Sequence, residues 1–140
     1  MNPIPQQLLI SGTILFLLSL LIGFVVPALV NPRMGVSAHV AGLQGGIILW
    51  VLGLMWQRMA LPIGAARAAQ LLMSGGLYAV FVSLLLAALW GTSRATPIAG
   101  AGHQATGVRE VVVTVVLAGG SLASLVAGVL VLWGLLAWKG

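Results

Sequence analysis

The chain of 140 residues is 61% hydrophobic and only 5% charged, with a mean hydropathy of +1.18, a balance that excludes a soluble domain and points to an integral membrane protein. Six Lys or Arg against one acidic residue leave a net charge of +5, but the cations are scattered one or two to a loop, which excludes a nucleic-acid surface. The absence of cysteine removes disulfides, zinc–thiolate sites, iron–sulfur clusters and thiol catalysis.

The N-terminal MNPIPQQ carries no positive n-region, and the apolar run after it is longer than a signal-peptide core. It is therefore expected to be the first span rather than a cleaved address. Four apolar segments follow, at about Leu8–Val30, Ser37–Trp56, Ala66–Trp90 and Val111–Trp138, each near the roughly 20 residues that cross a bilayer. Segments this long without polar/apolar alternation predict helices rather than barrel strands. The expected fold is thus an all-α integral membrane protein, a single four-helix transmembrane bundle, with Trp56, Trp90 and Trp138 at span ends where indoles favour the interface.

Loop one is Asn31–Val36 and loop two Gln57–Ala65, both short. Loop three, GTSRATPIAGAGHQATGVRE over Gly91–Glu110, is long enough to suggest a functional connection. Parity of crossing puts loops one and three on one face and both termini with loop two on the other. Arg33, His39, Arg94, His103, Arg109 and Glu110 then share a face, which holds both histidines and the only carboxylate side chain.

On the second helix His39, Gly42, Gly46, Trp50 and Gly53 fall along one stripe at 3.6 residues per turn. Two readings stand side by side. Gly42-x-x-x-Gly46 is a small-residue pattern that lets helices approach in lipid, or it clears a smooth wall for a flat ligand held by His39. Arg33 and Arg94 either snorkel to lipid phosphate or pair with the propionates of such a ligand. On the fourth helix Gly120, Ser124 and Gly128 read as packing alone. The intramembrane polar residues near His39 are few. Gln44 and Ser83 both lie about 10 Å below the shared face, so they could line one cavity, and Tyr78 lies near mid-membrane. His103 reads as a loop-packing residue with room for a lid or shuttle role, and Glu110 as the neutraliser of a neighbouring Arg. With no intramembrane Asp, Glu, Lys or Arg, acyl transfer by a Ser-His-Asp set, two-carboxylate hydrolysis and transporter-type proton relays are out of reach. A rearrangement assisted by a Lewis acid remains open.

The stretches NPRMGVSAHVAGLQGGIILWVLG and LWGTSRATPIAGAGHQ resemble hydroxylaminobenzene mutase, a small bacterial four-helix membrane enzyme. More distantly, SAHVAGLQGG is similar to the second-helix segment of styrene oxide isomerase. The resemblance implies a homotrimer in the bacterial inner membrane that binds heme b through His39, with ferric iron as Lewis acid. Gly46 matches a glycine that follows the ligand. The isomerase has Asn where this chain has Gly45, with Gln44 beside it, and its third-helix Asp, Asn and Tyr fall at Gly76, Val80 and Leu84. Tyr78 aligns with an aromatic residue other than the pocket Tyr. The implied catalytic set is His39 through its iron, with Tyr78, Gln44 and Ser83. The implied heme contacts are His39, Gly42, Gly46, Arg33 and Arg94. The implied partners are a small apolar aromatic substrate and the lipid bilayer, with no nucleic acid. The expected reaction is rearrangement of an arylhydroxylamine to a 2-aminophenol. The alternatives are epoxide-to-aldehyde isomerisation and a cofactor-free membrane scaffold or helper subunit.

Overall fold

A computed structural model describes residues 3–100 and 102–139. Four helices dominate: α1 Ile4–Val25, α2 Pro32–Met55, α3 Ile63–Trp90 and α4 Gly107–Ala137, with single 3-10 turns at Val26–Ala28 and Trp56–Arg58. Each is long and apolar enough to cross a membrane, so the chain is an all-α membrane protein. The helices begin three to five residues before the apolar runs suggest. Hydropathy marks the hydrocarbon-embedded part of a helix, whereas its start is set by local chemistry. Asn31 caps α2 by accepting the Met34 amide at 3.2 Å, and Pro32 follows as the first helical residue, where a fixed φ helps and the missing N–H costs nothing.

The bundle is built from two hairpins. Helix α1 packs along α2 and α3 along α4, and the α2–α3 contact joins them. In lipid no hydrophobic effect separates helix–helix from helix–lipid contact, so close van der Waals packing decides which helices pair. Each hairpin crosses at paired glycines. A Cβ on Gly12 would lie 2.7 Å from the Gly46 carbonyl oxygen, and one on Gly46 would lie 2.8 Å from that of Gly12. Gly76 and Gly120 show the same reciprocity at 2.7 and 2.8 Å. Gly128, expected to continue the α4 packing face, has nothing within 4 Å of a built Cβ.

Loops one and three meet, as parity requires, and the junction is tied at several points. The Asn31 amide donates to the Ala88 carbonyl at 2.9 Å, and its side chain donates to the Ala99 carbonyl at 3.1 Å. Helix α3 ends on Gly91, whose φ of 69° is the left-handed geometry a helix terminus needs and glycine supplies freely. At the opposite end loop two is tied to α4 through the Ala60 amide and the Gly134 carbonyl at 3.0 Å.

Candidate functional site

His39 sits in the second turn of α2, about 10 Å below the loop-one end of the helix at 1.5 Å per residue. Its imidazole points across to α1. Nδ1 lies 2.7 Å from the carbonyl oxygen of Ser19, and the Ser19 hydroxyl donates to the carbonyl of His39. A carbonyl oxygen only accepts, so Nδ1 carries a proton, and in the neutral ring the lone pair is then on Nε2. Nε2 has no hydrogen-bond partner among the described residues. Gly23, one turn beyond Ser19, makes room for the ring, since a Cβ there would come within 2.9 Å of both Nδ1 and Cε1. Ser19 is fully buried while His39 is half-buried, so the ring stands at the edge of the α1–α2 seam rather than inside the bundle.

The groove expected beneath His39 is filled. A Cβ on Gly42 would meet Ser19 and Phe81 at 2.7 and 2.8 Å, and one on Gly53 would meet Leu9 at 3.0 Å. Gly42 and Gly46 are therefore seats for α1 and not a wall for a flat ring within this chain. Trp50 completes the same seam: its indole donates to the Thr13 hydroxyl at 3.0 Å, and its ring lies 4.9 Å from that of Phe16.

The remaining intramembrane candidates do not gather around His39. Tyr78 donates its hydroxyl to the Ser11 carbonyl at 2.9 Å. Ser11 lies eight residues before Ser19, about 12 Å further along α1. Ser83 is fully buried and spends its hydroxyl on the Val80 carbonyl at 2.8 Å. Gln44 is exposed on the outer side of α2. The cavity anticipated between Gln44 and Ser83 therefore does not form, because the two side chains point to opposite environments.

On the loop face Arg33 and Arg94 are exposed, Arg94 within reach of the Glu110 charge. Glu110 meets the Arg expected of it, since the charge of Arg94 acts on its carboxylate, but its hydrogen bonds come from the backbone amides of Ser93 and Arg94, each at 2.9 Å, so it latches loop three onto the start of α4. Arg109 instead stacks over Trp90, 5.6 Å from the ring centre. His103 packs loop three on loop one, with Nε2 3.0 Å from the Val30 carbonyl, while its Nδ1 is buried without a partner.

Ser19 and Gly23 are the residues that inspection of the sequence misses. A signal for them exists in an αα-hairpin with a short loop, where residues facing each other have nearly constant number sums. Gly12 with Gly46, Ser19 with Gly42 and Gly23 with His39 mirror one another about loop one, so small residues on α1 could have been paired with the α2 stripe.

Among the described residues no three His, Asp or Glu side chains converge on a point. A single imidazole with a pinned tautomer can therefore hold a metal only where the metal brings most of its own ligands. The model of the family described as styrene oxide isomerase matches residues 4–136. Hydroxylaminobenzene mutase HabB of Ectopseudomonas oleovorans is 43% identical over 134 residues, covering 95% of this chain and 82% of that protein. Hydroxylaminobenzene mutase HabA of the same organism is 40% identical over 127 residues, covering 90% of this chain and 94% of that protein. No solved structure matches significantly.

Proposed function

The chain belongs to the styrene oxide isomerase family and is a membrane isomerase of the mutase kind, and from that premise we propose that it rearranges arylhydroxylamines to 2-aminophenols at a heme b held by His39. The observation that carries this reading is the Ser19 carbonyl bound to His39 Nδ1 at 2.7 Å. A hydrogen bond of this kind from the non-ligating nitrogen orients a metal-binding imidazole and raises its basicity.

When bound, the heme iron supplies a Lewis acid for the oxygen of the substrate. The chain's own residues do the rest. The Ser19 carbonyl fixes the tautomer, Gly23 admits the ring, and Arg33 and Arg94 at the same face offer cations to the propionates. Because Gly42 and Gly46 are covered by α1, a cofactor held by the half-buried His39 would lie on the outer side of the α1–α2 seam. A homotrimer in the bacterial inner membrane would enclose it. The overall change is an isomerisation: the N–O bond breaks, a C–O bond forms at the adjacent ring carbon, and the displaced ring proton is returned to nitrogen. It needs no co-reactant, which suits a site without a carboxylate pair. Access from the bilayer suits a small aromatic substrate.

The name of the family favours a second substrate reading, epoxide-to-aldehyde isomerisation. One experiment tests both. The purified protein, expressed with adequate heme supply, is expected to show a Soret band that His39→Ala abolishes, and to turn over phenylhydroxylamine. Turnover of styrene oxide alone would select the second reading, and a colourless preparation would reject both.

A further inference from the structure

At the end of the bundle away from His39, a cavity of about 830 Å³ opens between the start of α1, the 3-10 turn and the first turn of α3, with Leu9, Trp56, Leu61, Ile63, Ala66 and Arg67 among its lining residues. Trp56 lies seventeen positions along from His39, about 25 Å, so this cavity is apart from the site proposed at His39.

Three features of the cavity point to one ligand chemistry. Trp56 lines the cavity and is only 5% exposed, and its indole N–H has no acceptor among the described residues without being one of the enclosed unpartnered atoms, so it is open to an acceptor on a ligand. Helix α3 begins at Ile63 without a side-chain cap and without an acidic residue in its first turn, which leaves its first amides and the positive end of its dipole unanswered. Arg67 lies one turn inside that helix, and the only acidic side chain of the chain, Glu110, is at the opposite face. The cations of this end, Arg58, Arg67 and Lys139, lie where a bilayer presents its headgroups. The apolar part of the lining, Leu9, Leu61 and Ala66, suits the glycerol and upper acyl region of an amphiphile.

We propose that this cavity binds an anionic phospholipid, its phosphate held by Arg67, the Trp56 N–H and the N-terminal amides of α3, and its glycerol and acyl carbons lying against Leu9 and Leu61. The lipid would lie beside the Gln70–Gln7 hydrogen bond, at 2.7 Å, that joins α3 to the start of α1.

Native mass spectrometry on the full chain in detergent, titrated with phosphatidylglycerol or phosphatidylcholine, tests the assignment. The wild type is expected to retain phosphatidylglycerol in preference to phosphatidylcholine. Arg67→Gln should weaken retention about tenfold, the loss of one charge-assisted contact. Trp56→Phe should weaken it less while keeping the ring, and Arg58→Gln, outside the lining, should leave it unchanged. Equal retention of the two lipids, unchanged binding in Arg67→Gln, or an equal loss in Arg58→Gln would overturn the proposal. Displacement of phosphatidylglycerol by millimolar inorganic phosphate would assign the site to free phosphate and overturn the lipid reading. Arg67 is exposed, so Arg67→Gln keeps the test decisive if Trp56→Phe fails to fold.

Discussion

Ser19 and His39 clasp each other twice across the α1–α2 seam. The imidazole Nδ1 donates to the Ser19 carbonyl at 2.7 Å, and the Ser19 hydroxyl donates to the His39 carbonyl. The first bond uses only backbone on α1, so Ser19→Ala should keep the ring orientation. It removes the second bond, at a cost of about 1 kcal/mol in stability. Gly23→Ala acts on the ring itself, because its Cβ would fall 2.9 Å from two ring atoms. Heme content is expected to fall sharply in Gly23→Ala and to persist in Ser19→Ala, with helicity unchanged in both by circular dichroism. A Gly23→Ala protein that loads heme like the wild type would remove the orienting role assigned to α1.

Gly46 and Gly128 both look like helix-packing glycines in the sequence, but their surroundings differ. Gly46→Ala would drive a methyl against the Gly12 carbonyl at 2.8 Å and against Phe16 at 2.9 Å, an overpacking that costs about 1–3 kcal/mol. Gly128→Ala meets nothing within 4 Å in this chain and should be neutral, within about 0.5 kcal/mol. Unfolding of the detergent-solubilised protein measures both. A penalty at Gly128 equal to that at Gly46 would mean that α4 packs closely on a second copy.

Glu110 holds loop three by accepting the Ser93 and Arg94 amides at 2.9 Å each. Glu110→Gln offers one carbonyl oxygen and turns an NH2 toward the other amide, so one bond to a charged acceptor is lost outright and the other is weakened. A loss of about 1.5–3 kcal/mol is expected. It should be concentrated in residues 92–100, where hydrogen exchange should accelerate before the helices are affected. Unchanged exchange in that segment would contradict the latch.

Tyr78 is a test of what the geometry took away from the expected catalytic set. Its hydroxyl is engaged with Ser11 at 2.9 Å, well along α1 from the His39 clasp. Tyr78→Phe should cost about 1 kcal/mol of stability while leaving kcat/KM for phenylhydroxylamine near the wild-type value. A loss of about 100-fold or more, the scale of a removed acid–base group, would restore Tyr78 to the reacting centre.

Spans and class are legible without coordinates, and His39 stands out as a candidate, for physical reasons particular to membranes. Hydrocarbon tolerates no unsatisfied backbone and few polar side chains, so apolar length dictates helices and an intramembrane imidazole stands out. Crossing parity likewise places Asn31 and Ala99 on one face, and the structure joins them by a hydrogen bond. What could not be read is which side of each helix meets which neighbour. Gly42 and Gly46 mark a smooth surface, but smoothness does not distinguish a ligand from a second helix. Only the docking of α1, with Ser19 and Gly23 opposite His39, decided that the glycines are covered and that the free ring nitrogen lies at the edge of the seam. The reason is that helix pairing in lipid depends on small differences in shape between similar apolar surfaces, whereas insertion depends on large differences in solvation carried by composition alone.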